Sequence, residues 1–156
     1  MKTLALLAAA LVILALPLPA APLAAGPVEA VYNAQVQTTE ILRTTKNAAG
    51  EDIVYPATRR PEVTGLKVRI PPGCETGWHT HSVPGYAFLI SGALTLLYDP
   101  GTPRSFKAGE AFVESAGVLH NGRNLGTEDV VLVVFFTGEL GAAFTIKPAP
   151  AGALQK

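Results

Sequence analysis

Gly73-Cys-Glu-Thr-Gly-Trp-His79-Thr-His81-Ser-Val-Pro-Gly85-Tyr-Ala-Phe-Leu-Ile-Ser-Gly92 is the stretch on which the fold turns. It sets two histidines two residues apart, ahead of an alternating apolar run. Side chains two apart on an extended strand point to one face. His79 and His81 are therefore expected to project together, with Thr80 turned away. The third and last histidine of the chain lies in Gly109-Glu-Ala-Phe-Val-Glu-Ser115-Ala-Gly117-Val-Leu-His120-Asn-Gly-Arg-Asn124. It meets the pair only if the sheet folds back, and Gly92 and Gly109 permit the tight corners this needs. A chain of 156 residues that uses histidine only here points to a metal site. Neutral imidazole is the commonest metal ligand, and three leave positions open for water or substrate. The opposing reading is three core histidines with satisfied ring nitrogens.

Outward from that stretch the chain reads as β. Leu66, Val68 and Ile70 alternate with Lys67 and Arg69, a half-buried strand, and Pro71-Pro72-Gly73 stops it. Tyr86, Phe88 and Ile90 alternate with Ala87, Leu89 and Ser91. Gly92 then turns the chain into Leu94–Tyr98, so the two runs read as a hairpin. Asp99-Pro100-Gly101 is a turn signal, followed by short strands near Arg104 to Phe106 and Ala111 to Glu114. Val130 to Phe136 is apolar on both faces and predicts an interior strand. Val31 to Gln37 and Ile41-Leu42-Arg43 also read as strands. No segment beyond residue 25 keeps a helical apolar period for three turns. Short strands with Gly/Pro punctuation predict an all-β sandwich or barrel.

The N-terminus conditions the metal. Lys2 is followed by an unbroken apolar run of 13 residues, Leu4 to Leu16, and then by Pro17, Pro19 and Pro22 among small residues. This is the pattern of a secretory signal peptide cleaved after Ala20 or Ala25. A membrane anchor needs about 20 apolar residues. The style is bacterial, so the expected location is periplasm or medium, with no membrane attachment after cleavage. The expected organisation is 1–25 leader, 26–63 N-terminal strands, 64–147 barrel and 148–156 disordered tail. Twelve basic residues balance 12 acidic ones, so the basic patch of a nucleic-acid binder is missing. Cys74 is the single cysteine, which excludes an intrachain disulfide. It reads either as a soft ligand or as a small residue in a turn.

The two stretches together resemble the two motifs of the cupin superfamily, in its small single-domain bacterial (type-2) form. The first motif runs Gly, five residues, His-x-His, three or four residues, Glu, six residues, Gly. The second runs Gly, five residues, Pro-x-Gly, two residues, His, three residues, Asn. The resemblance covers about Thr64 to Thr137. It implies one cupin β-barrel, a jelly-roll-like double-stranded β-helix, and a homodimer paired through the leading strands. It also implies one divalent transition metal (Fe, Mn, Zn, Ni or Cu) on His79, His81 and His120. Two positions depart from the pattern. Ser115 replaces the motif proline, expected to loosen a turn. Gly85 stands where the ligand Glu belongs, which leaves a three-histidine set and a more positive metal with a more acidic water.

Tyr86 and Glu114 are the candidate catalytic residues. Tyr86 either fills the gap at Gly85 as a hydrogen-bond donor or packs as a core tyrosine. Glu114 interrupts an apolar strand, and facing inward it can orient a histidine or act as a general base. Glu75 reads as surface, Asn124 as a turn-securing residue and Trp78 as core. Arg123 is read as exposed or as reaching the pocket mouth. Phe88, Leu96, Phe112 and Phe135 are the expected lining of a pocket for a small organic ligand. Three-histidine cupin dioxygenases set the leading expectation, metal-dependent oxidation of such a molecule. A non-enzymatic metal- or ligand-binding module and a Zn-dependent isomerase or hydrolase stand as alternatives. Export favours Zn or Cu unless the metal is loaded beforehand.

Overall fold

The structure, a computed structural model, describes residues 35–148. The leader, the start of the Val31–Gln37 run and nearly all of the tail lie outside these residues. The chain divides into two compact units at Thr38/Thr39. Of the first, only Gln35–Thr38 is described, and it carries no strand.

The second unit is built from nine strands with no helix among the described residues. They are β1 Pro61–Ile70, β2 Thr80–His81, β3 Gly85–Ser91, β4 Ala93–Tyr98, β5 Arg104–Lys107, β6 Ala111–Val113, β7 His120–Asn124, β8 Val130–Glu139 and β9 Thr145–Ile146. One sheet has the order β1-β8-β3-β6 and a second β5-β4-β7, while β2 pairs with β9. Every ladder is antiparallel. β8 is interior as its composition predicts, flanked by β1 and β3.

The expected hairpin across Gly92 does not form. β3 pairs with β8 and β6, whereas β4 pairs with β5 and β7. Gly92 is instead a corner at which the chain leaves one sheet for the other. Its φ is +75°, and a Cβ there would fall 2.7 Å from the Asp129 carbonyl oxygen. Ile41–Arg43 is not a strand either. Those residues lie in irregular backbone, with Ile41 and Leu42 exposed. A β-favouring composition has no partner edge there to satisfy its backbone groups. The expected boundary at residue 63 falls inside β1, which starts at Pro61.

The inner faces of the two sheets meet in the core. Leu132, Val134 and Phe136 of β8 stand opposite Leu89, Ala87 and Gly85 of β3. Leu94, Leu96 and Tyr98 of β4 stand opposite Asn124, Gly122 and His120 of β7. Residues paired across antiparallel strands share a face. Phe106 of β5 stacks on Phe112 of β6 at 4.2 Å and closes one flank. Phe88 and Phe135 do not line the interior as expected. They alternate out of phase with Ala87 and Val134, and Phe135 is exposed.

Candidate metal centre

The three histidines converge. His79 and His120 exchange both backbone hydrogen bonds at 2.9 Å, so their side chains lie on one face of the ladder. His81 follows two residues on and shares that face. The ring centroids are 4.9, 4.4 and 5.0 Å apart, and one donor atom from each ring lies within 4.8 Å of the others. Thr80 pairs with Ile146 on the opposite side.

The backbone fixes which nitrogen of each ring is free. His79 Nδ1 lies 2.8 Å from the Gly77 carbonyl oxygen, and His120 Nδ1 lies 2.8 Å from that of Val118. His81 Nδ1 lies 3.1 Å from that of Phe144, with Thr145 Oγ1 beside it at 3.2 Å. A carbonyl oxygen only accepts, so each Nδ1 carries the proton and donates. In the neutral ring Nε2 is then the nitrogen left with a lone pair. Burial, with the neighbouring histidine charges next, pulls the His81 pKa down to about 3. Burial lowers His120 as well. Three imidazoles with rings locked by backbone carbonyls form the donor set that a divalent transition metal takes. His120 Nε2 is buried without a hydrogen-bond partner, so the residues fit such an ion.

Glu114 lies beside this cluster, just beyond β6. It is buried, and its Oε2 is 3.6 Å from His120 Nε2. Burial alone pushes the carboxyl up to about 7. With both groups shifted toward their neutral forms, the contact is not an ion pair.

Tyr86 falls elsewhere. It stands opposite Phe135 and Val113. The alternation that turns Gly85 toward the histidines turns Tyr86 to the outer face, so it cannot fill the gap at Gly85. That gap is taken by Phe136, whose ring would lie 2.6 Å from a Cβ on residue 85 and sits 4.6 Å from the His81 ring. Trp78 is not a core residue. It is 40% exposed and lines the cavity over the histidines. Cys74 is exposed and outside the histidine cluster. Arg123 is partly exposed and pairs with exposed Glu75 at 3.1 Å instead of entering the cavity. Asn124 secures the turn as expected. Its Nδ2 donates to the Ile70 and Glu128 carbonyls at 2.8 and 2.7 Å, and its Oδ1 accepts from Gly126 N at 3.0 Å.

Ser115 does the opposite of loosening a turn. Its Oγ accepts from Ala49 N at 3.1 Å while Ala48 N donates to the Val113 carbonyl at 2.8 Å. A proline at 115 would have no hydroxyl for this contact, so the departure ties the Asn47–Glu51 turn to the end of β6. The support given to His81 by Phe144 and Thr145 was also not legible, because nothing in their spacing links β9 to β2.

The cavity above the histidines has a volume of about 190 Å3. Its wall is mostly apolar, including Leu66, Val68, Leu96 and Val134, with Thr145 and Lys147 among its polar residues.

The cupin-domain family profile matches residues 66–136. Those residues form a cupin domain. Two solved structures carry the same fold. DMSP lyase DddQ from Ruegeria pomeroyi is 22% identical over 58% of this chain and 45% of its own, with a TM-score of 0.50. A cupin-like protein from Thermotoga maritima is 17% identical over 56% of this chain and 65% of its own, also at 0.50. The chain spans less than two thirds of either protein's length. No curated protein matches it in sequence.

Proposed function

We propose that the protein is an exported, metal-dependent cupin dioxygenase. It holds a divalent transition metal on His79, His81 and His120 and acts on a small organic substrate in the apolar cavity. The observation that carries this reading is the convergence of three imidazoles whose Nδ1 protons are all committed to backbone carbonyls. When bound, such a metal supplies open coordination positions and redox chemistry toward O2.

The chain's own residues then do three things. Gly77, Val118 and Phe144 hold the rings in one tautomer through their carbonyls. The wall of Leu66, Val68, Leu96 and Val134 excludes water and selects an apolar body. The cavity is smaller than the roughly 300–1,000 Å3 of a drug-sized site, which limits the substrate to a small molecule. Lys147 on the cavity lining suits an anionic group on that molecule.

Glu114 favours a second reading. A buried carboxyl held near neutrality beside the histidines suits proton transfer, and thus Zn-assisted isomerase or hydrolase chemistry. The signal-like N-terminus supports export to periplasm or medium. Val63 and Phe135, exposed on the outer face of the four-stranded sheet, support a homodimer.

Metal analysis by mass spectrometry tests the site, using protein purified from the exported fraction without chelators. Close to one Fe per chain in the wild type, loaded before export, and none in a His79→Ala/His81→Ala variant is the outcome that the dioxygenase reading predicts. Oxygen uptake with small aromatics and diketones should then depend on the metal. Stoichiometric Zn or Cu without oxygen uptake would move the reading to the second. A wild type that takes no metal even after reconstitution would sink the site.

A further inference from the structure

The space beside Gly85 is filled from another strand. A Cβ on residue 85 would lie 3.1 Å from Glu114 Cγ, besides its collision with Phe136. Glu114 N also donates to the Gly85 carbonyl at 2.6 Å. The Glu114 side chain therefore passes through the volume that a side chain on residue 85 would need.

Its far end is unsatisfied. Glu114 Oε2 and His120 Nε2 are both buried, 3.6 Å apart, and neither has a hydrogen-bond partner. That distance is too long for a hydrogen bond. His120 Nε2 presents a lone pair, because its Nδ1 proton goes to Val118. At 3.6 Å a protonated Glu114 does not donate to it, and an ionised one presents only lone pairs as well. Two acceptors facing each other away from water lack a positive partner, and buried polar groups without one are costly. Two ligand atoms on one transition ion, each at about 2.0–2.2 Å, stand about 3 to 3.5 Å apart. The separation is close to that of a shared cation.

We propose that Glu114 is a fourth metal ligand, delivered from the end of β6 into the space left by Gly85. The proposal rests on the metal-centre reading above. It makes the site three imidazoles and one carboxylate, so a bound ion carries less net charge than three histidines alone would leave it. It also removes Glu114 as a free base while the ion is bound, which favours the oxygenase reading over the acid–base one.

Co2+ titration of the apoprotein tests this, with affinity read by competition against a chromophoric chelator and geometry read from the visible ligand-field spectrum. Glu114→Gln keeps the shape and removes the charge. It is expected to weaken Co2+ binding at least 10-fold and to change the spectrum. Glu114→Asp, which keeps the charge but withdraws it by one methylene, should fall between. Wild-type affinity and spectrum in Glu114→Gln would overturn the carboxylate ligand and leave the three-histidine site standing. No Co2+ uptake by the wild type would overturn the centre and the ligand with it. A crystal of wild-type protein soaked in Co2+ needs no variant. Glu114 Oε2 at about 2.0–2.2 Å from the ion is the expected result. An ion held by the histidines alone, with Glu114 turned aside, overturns the proposal.

Discussion

His81 shows how one buried side chain sets a pH dependence. An unfolded chain protonates it near the ordinary 6.5, whereas the folded chain resists until about 3. The unfolded state thus binds more protons below pH 6.5, and stability falls as pH drops, by up to about 1.4 kcal/mol per pH unit for such a group. His120, also lowered, acts in the same direction. Glu114 opposes them. Its carboxyl takes up a proton near 7 when folded and near 4.5 when unfolded, so it adds stability as pH falls through that window. The carboxyl offsets about one histidine down to pH 4.5 and nothing further below it. Thermal melts of the apoprotein should show a gentle decline from pH 6.5 to 4.5 and a steeper one beneath. A melting temperature that rises on acidification would contradict the lowered pKa values of His81 and His120. The histidine cluster is legible in the sequence because residue type and spacing bring the three rings together. The face that Tyr86 takes is not legible in the sequence, because a two-residue period defines two faces without saying which is inner.

Among the elements, β3 and β4 carry the main lesson. Their apolar alternation marks two strands correctly, and the turn residue Gly92 sits between them. A positive-φ glycine serves a hairpin and a sheet-to-sheet corner equally well, so local sequence does not separate the two. The corner is decided by the entry to β8, where the backbone of Asp129 and Val130 packs against Gly92. Gly92→Ala should therefore be costly twice over, through left-handed backbone strain and through collision with backbone that cannot rotate away. A loss of at least about 2 kcal/mol is expected, read as a lower urea midpoint with an unchanged slope. An alanine variant as stable as the wild type would mean that the corner is looser than its geometry. Ser115 belongs to the same level. Its departure from the family wording was visible, but its partner Ala49 is 66 residues away in sequence, and only folding brings them together.

For the whole molecule, the outer face of the four-stranded sheet leaves Val63 and Phe135 uncovered, at 64% and 52% exposure. A second copy covering this face would remove that apolar surface from water. Light scattering on the eluting protein should report a dimer. Phe135→Glu should shift it to monomer without lowering metal content, because Phe135 points away from the histidines. A wild-type monomer would leave the face to something else. By itself the sequence determined the β class, the cupin resemblance, the interior strand β8 and the three histidines, because residue type, alternation and motif spacing are local properties. Only the tertiary structure decided which face of each strand is inner, that β3 and β4 part at Gly92, and that Trp78 opens onto the cavity. It also decided that Phe136 and Glu114 fill the space beside Gly85. Each of these depends on packing between strands distant in the chain, where excluded volume and hydrogen-bond partners choose among arrangements that local sequence leaves equal.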